Sequence, residues 1–211
     1  MPNPNLIPAL MRALRFHEIG SKSPYQLSFA KKGKSGASFG AMQGDLAARQ
    51  PKVTQTFHDV LEAAGFPTGT VNALMATLSG PLRDDPLSDA EESRINAALE
   101  AHRDLVDAMD QGIAAGIFDN LDLCVASAAS ANRTITPRAQ LYIAMWINMT
   151  GAPDRLRTWL KGGPVNVPMP GPVVDVPDIE RYLRASKYYI ENPDNFPHMQ
   201  QSAAEGAKAL P

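Results

Sequence analysis

The sequence predicts a mostly α fold, a single domain over residues 1–211. A small β-hairpin or irregular Gly-rich lobe is expected between residues 20 and 50. Three observations predict this. Apolar residues recur at three- and four-residue spacing through most of the chain from residue 51 onward. Helix-starting prolines and a capping box stand at the heads of those periodic runs. Only residues 20–50 break the pattern, being rich in Gly, Ser and Lys with apolar residues in short pieces.

The elements follow in order. Residues 5–18 read as a first helix, with Leu6, Ile7, Leu10 and Leu14, and Met11 beside them, on one stripe. Pro8 falls in its first turn, where a missing N–H costs little, and Gly20 ends it. Tyr25, Leu27 and Phe29 alternate, which predicts a short strand. Pro51 opens a helix whose face is Val53, Phe57, Val60 and Leu61, and a shorter helix follows over 69–79. Ser88 and Glu91 form a capping box. It opens the longest expected helix, with Ile95, Leu99, His102, Leu105, Val106, Met109 and Ile113 on its buried stripe. A short apolar helix is expected over Leu121–Ala129, another from Pro137 to about Met149, and a third over 153–161. Residues 162–177 hold too many prolines for a helix and read as an extended strap. A strong helix is expected over 178–191, and the C-terminal tail, 195–211, reads as a weaker one.

Composition narrows the function classes. The net charge of −2 lacks the basic excess of a nucleic-acid-binding protein or a polybasic membrane anchor. A single cysteine, Cys124, excludes an intrachain disulfide and a cysteine-based zinc site, and its apolar setting reads as a buried small hydrophobe. The four histidines show no paired ligand spacing, so no metal and no other cofactor is expected. The N-terminus lacks a basic region followed by an apolar one, so no signal peptide is read, and no run of 18 consecutive apolar residues exists to predict a membrane span. Lys31-Lys32-Gly33-Lys34-Ser35 ends like a phosphate loop, but Ser28 stands where the first glycine is required. It reads as a solvated loop able to steer an anionic glycan.

Two segments carry candidate chemistry. Glu18 ends the first helix just before the Gly/Ser-rich loop. Packing against apolar walls would raise its pKa and make it a general acid, whereas full solvation would leave it an ordinary surface glutamate. In Phe39-Gly40-Ala41-Met42-Gln43-Gly44-Asp45, two glycines bracket an amide and a carboxylate. Such a loop can bring backbone close to a ligand, with Gln43 as donor and acceptor for sugar hydroxyls. The alternative is a glycine-rich turn that only closes a hairpin.

Glu18, a loop of about twenty residues and then Phe39-Gly40-Ala41-Met42-Gln43 resemble the lysozyme-like lytic transglycosylases. The form Phe-Gly-x-Met-Gln-x-Asp, matched by Phe39 to Asp45, is similar to goose-type lysozymes. Further on, Ala144 to Leu160 resembles the family's "Ala-x-Tyr-Asn-Ala-Gly … Val-x-x-Trp-Leu" segment, with Asn148 and Gly151 in the Asn and Gly places. Glu180 to Tyr189 resembles its closing helix. Two departures stand out: Ile147 replaces the family's tyrosine, and the Asn-to-Gly spacing is longer by one. Tyr142 and Tyr25 are the candidates for the missing tyrosine. Residues 51–135 match none of these motifs.

The resemblance implies a lysozyme-like fold that cleaves a β-1,4-linked aminosugar polysaccharide, with peptidoglycan the default substrate. Glu18 would protonate the leaving oxygen. Asp45 is the candidate second carboxylate, which an inverting hydrolase uses to activate water and a lytic transglycosylase does not need. Gln43, Met42, Phe39, Asn148, Tyr142 and Tyr25 are the expected sugar contacts. The partner is then the polysaccharide, with no nucleic acid and no stable membrane insertion. Reaching a cell wall without a signal peptide would take an export or release system, as for an endolysin. Chitin, chitosan or another β-glucan stays open as substrate, as does a non-catalytic helical glycan-binding or interaction module.

Overall fold

A computed structural model describes residues 5–20, 22–31, 33–151 and 153–211. Lys32 of the lysine run and Ala152 of the 144–160 segment lie outside them. The chain is 63% helix and 5% strand, as a mostly α reading expects. Its residues group into two compact units, one of residues up to His17 with 114–211, the other Glu18–Ile113.

The first unit begins with α1 (Leu6–Leu14). Its buried stripe is Leu6, Ala9, Leu10, Ala13 and Leu14. Ile7, expected on that stripe, is 43% exposed, because a helix this tightly packed hides only one narrow face. α1 packs on α6 (Pro137–Thr150) and α10 (Asn195–Ala207). The C-terminal tail is therefore a principal packing element, firmer than its sequence predicted. Its contact with α1 depends on Gly206, where a Cβ would stand 2.5 Å from the Ala9 carbonyl oxygen. Thr136 caps α6 and Pro137 starts it. Gly151, at φ +75°, ends it.

α7 (Asp154–Leu160) carries the fully buried Trp159, whose indole N–H donates to the Pro168 carbonyl 2.9 Å away. Arg133 donates to the Pro170 and Leu160 carbonyls. These bonds pin the expected strap, which also holds a short strand, β5 (Val173–Val174), paired in parallel with β4 (Thr134–Ile135). The helix expected over 178–191 is two helices, α8 (Val176–Arg184) and α9 (Lys187–Glu191), with Ser186 capping the second.

The second unit holds a three-stranded antiparallel sheet, β1 (Ser28–Phe29), β2 (Ala37–Phe39) and β3 (Gly44–Asp45). Ser28 faces Ser38 across the first pair, and Ser38 faces Asp45 across the second. The Tyr25–Phe29 alternation thus marks a strand of only two residues: Leu27 is buried, Tyr25 and Phe29 half-buried. α2 (Pro51–Ala63), α3 (Thr68–Leu78) and α4 (Asp89–Ala101) follow. Val53, Phe57, Val60 and Leu61 form the buried face of α2 as expected, and the Ser88–Glu91 capping box is present. The core joins these to the sheet through Phe39, Leu46, Leu78, Ile95, Leu99, Val106 and Met109.

The longest expected helix breaks at His102, whose φ of −114° and ψ of 39° are not helical. α5 (Arg103–Ala129) then runs 27 residues and absorbs the short helix expected at 121–129. No proline or glycine marks the break, so periodicity alone could not locate it. Gly112 does not interrupt α5, and the Lys52 side chain lies across it where a Cβ would stand. Among the described residues α5 is long and apolar enough to cross a membrane, with a mean hydropathy of 1.3 over 18 residues; a core helix of a soluble protein passes the same test. The count of consecutive apolar residues missed it because averaging tolerates isolated polar positions.

Candidate functional site

α1 continues into a π turn, Arg15–Ile19, which carries His17 and Glu18. Such turns are single-turn insertions often found at functional positions. His17 belongs to the first unit, where its ring stacks on His198 at 4.4 Å and its Nδ1 lies 3.1 Å from Ser202 Oγ. Burial, and then the neighbouring His198, lower its pKa. Glu18 opens the second unit. Its side chain is accessible to solvent, yet protein packed around it strips enough water to raise its pKa above the usual carboxylate value. That combination suits an acid that must hold a proton and still meet a ligand.

The Phe39–Asp45 run is a tight turn, with the Gln43 N–H donating to the Gly40 carbonyl at 3.2 Å. Gly40 sits at φ +82° and its own N–H donates to the Pro24 carbonyl at 2.8 Å, tying the turn to the segment after Glu18. The remaining amides at its apex meet a residue that motif reading missed. The Ala41 N–H donates to Asp110 Oδ2 at 2.7 Å and the Met42 N–H to Asp110 Oδ1 at 3.1 Å. Asp110, on α5, is 1% exposed. Burial pushes its pKa up to about 6, against the opposing pull of the two amide bonds. Gly40 is required by this approach as well as by its dihedral, because a Cβ there would stand 2.6 Å from Asp110 Oδ1. A signal for Asp110 exists in the sequence: it sits four residues after Val106 and beside Met109, an acid on an apolar stripe.

Gln43 has φ +48°, unusual for a residue with a side chain. Its amide holds that conformation, with Nε2 donating to the Gly40 carbonyl at 3.0 Å and Oε1 accepting from the Ser28 hydroxyl. Strained, over-determined backbone of this kind clusters at binding and catalytic loops. Asp45 Oδ1 accepts from Gly36 N at 3.0 Å and from Ala47 N at 2.8 Å, capping the 3-10 turn Leu46–Ala48. One carboxylate oxygen is thus engaged in shaping the lobe. The Tyr25 hydroxyl donates to Asp107 at 2.9 Å, with burial the main cause of its raised pKa. The Leu27 N–H donates to Asn96 Oδ1 at 2.8 Å, so α4 and α5 both hold the 25–29 segment.

Two expected sugar contacts are corrected. Phe39 is fully buried, its ring 5.5 Å from that of Phe57, and belongs to the core. Met42 is 5% exposed, so its backbone amide on Asp110, not its side chain, is what the turn uses. Glu18, Tyr25, Gln43 and Asp45 remain at or near the surface of the second unit.

Tyr142 and Asn148 lie on α6 in the first unit. The Tyr142 hydroxyl donates to Glu180 Oε1 at 3.0 Å, and burial, then Glu180, raise its pKa. Glu180 also accepts from Gln200 at 2.7 Å. Tyr142 lines a recess of about 270 Å³ with Arg138 and Asp175. Asn148 is half-buried. Cys124 is fully buried with its pKa raised to about 12, an inert thiol. On α2, His58, Asp59 and Glu62 bring ligand atoms within 4.8 Å of one another, a surface cluster that the search for paired ligand spacing passed over.

No protein-family model matches the chain, and no curated protein or solved structure matches it.

Proposed function

We propose that the protein cleaves a β-1,4-linked aminosugar polysaccharide, peptidoglycan by default, with Glu18 as general acid. One observation carries the reading: Glu18 is open to solvent, yet its pKa is raised by desolvation. It stands at a helix end that leads into the lobe bearing the strained Gly40–Gln43 turn. Protonated Glu18 gives its proton to the glycosidic oxygen as the C1–O bond breaks, and the charge that develops is oxocarbenium-like. The Gln43 amide keeps one N–H and one lone pair beyond its bonds to Gly40 and Ser28, and these are what the turn would offer to sugar hydroxyls, with Asp110 acting as a positioning residue behind it.

Asp45 bears on how the intermediate is resolved. An inverting hydrolase needs a carboxylate free to take a proton from water. Asp45 caps a turn through Oδ1, and this favours the transglycosylase route. There the substrate's 6-hydroxyl attacks C1, its proton passes to the Glu18 carboxylate, and an anhydro sugar forms without water being consumed. Tyr25, in the same unit as Glu18, stays as the proposed sugar contact besides Gln43.

The test is release of soluble fragments from dye-labelled purified peptidoglycan by wild type and by Glu18→Gln, both checked for fold by circular dichroism. Release by the wild type alone is expected. Equal release by a folded Glu18→Gln protein would overturn the assignment. Absence of release from peptidoglycan, chitin and chitosan alike would leave the glycan-binding alternative in its place.

A further inference from the structure

The first unit contains a recess that the proposed chemistry does not use. It has a volume of about 260 Å³ and is bounded by α6, α7, α8 and α9 together with the strap. Its walls are flat and apolar. The Trp146 and Tyr188 rings meet edge-on at 6.1 Å, and Tyr182 packs on the buried Trp159 at 5.0 Å. Leu156 and Val167 complete the apolar lining. Two cations, Arg155 and Lys187, belong to the same lining, and no acidic side chain does among the described residues. Lys187 has only an exposed pairing with Glu191 at 3.7 Å, while among the described residues no carboxylate pairs with Arg155. Exposed pairs of that kind contribute little and exchange readily. The Arg155 charge acts on the Tyr182 hydroxyl, and both side chains line this recess.

Apolar ring faces with a few convergent polar groups are the usual composition of small-molecule sites, and this volume lies just below the drug-sized range. Two cations, one with only a weak exposed pairing and the other with no carboxylate partner among the described residues, select an anion, and a guanidinium's planar fork matches a carboxylate. We propose that this recess binds a single ring carrying a carboxylate, either an aromatic acid or a sugar acid, with the ring against Trp146 and Tyr188 and the carboxylate on Arg155 and Lys187. The site belongs entirely to the first unit, and the proposal does not rest on glycan cleavage by Glu18.

The chain has two tryptophans, so its ¹⁵N–¹H spectrum has two indole signals, assigned with Trp146→Phe. The probes are benzoate and N-acetylmuramate, with benzyl alcohol and N-acetylglucosamine as their neutral counterparts. We expect an anionic probe to shift the Trp146 indole saturably while the buried Trp159 indole stays in place. The neutral counterpart should bind at least about tenfold more weakly, and Arg155→Gln and Lys187→Gln should each weaken the anion about tenfold. Saturation by benzoate alone identifies an aromatic-acid site, and saturation by N-acetylmuramate a sugar-acid site. Equal binding of neutral and anionic probes, no saturable shift with either acid, or unchanged affinity in Arg155→Gln would overturn the proposal. Glu18→Gln should bind as the wild type does, which separates this result from any failure of the cleavage reading.

Discussion

Replacing Asp110 by Asn tests the idea that a buried, protonatable carboxyl holds the Gly40–Gln43 turn. Each oxygen of Asp110 accepts one backbone N–H, from Ala41 and from Met42. An asparagine supplies one acceptor and turns an NH₂ group toward the other amide. That leaves one buried donor unpaired, at a cost of about 1–3 kcal/mol. Ionisation acts in the opposite sense. The rise of the Asp110 pKa from 3.8 to about 6 corresponds to about 3 kcal/mol between the protonated and charged forms. The folded state holds this proton more tightly than the unfolded state. Stability from Asp110 is therefore fully present below about pH 4 and is lost as pH rises through about 6. Asn has no such dependence. Urea unfolding of both proteins at pH 4, 5, 6 and 7 should find the variant less stable by about 1–3 kcal/mol at pH 4, with the gap closing by pH 7. A variant equal to the wild type at pH 4, or a gap that does not change with pH, would refute this reasoning.

Gly40→Ala places a Cβ 2.6 Å from Asp110 Oδ1 at a φ of +82°, and chemical denaturation should find it destabilised by about 1–3 kcal/mol. Gly206→Ala drives a Cβ toward the Ala9 carbonyl, which cannot swing aside as a side chain would. Calorimetry should show a loss of about 1–3 kcal/mol that Gly206→Ser does not recover. If Glu18 acts as the acid, cleavage requires its protonated form. The alkaline limb of the pH–rate profile should then lie above the ordinary glutamate value of 4.5, because burial holds the proton on, and activity should fall as pH rises through that limb.

Where one helix face meets one core, the residues predicted the structure well. Val53, Phe57, Val60 and Leu61 are the buried face of α2, and Ser88 and Pro137 mark helix starts as the sequence predicts. The misses have local causes. The break at His102 carries no proline or glycine, so the apolar period continues through it. The tail looked weak because its packing depends on the absence of a side chain at Gly206, which periodicity does not register. In the candidate site, the Gly-rich run announced a close backbone approach, and there is one. It runs to Asp110, which lies 70 residues further along a helix and so escapes any reading of local motifs. Phe39 and Met42 were read as sugar contacts because motif letters do not say which way a side chain points; both are buried. Glu18 showed its place at a helix end, while the π turn and the desolvation that raises its pKa depend on packing.

Mass spectrometry of the fragments made from purified peptidoglycan, wild type beside a folded Glu18→Gln control, tests the central claim most directly. The account predicts anhydro-ended muropeptides from the wild type and none from the variant. Reducing ends carrying one added water would contradict the transglycosylase route and restore Asp45 as the base. Fragments of either kind from Glu18→Gln would contradict the claim itself.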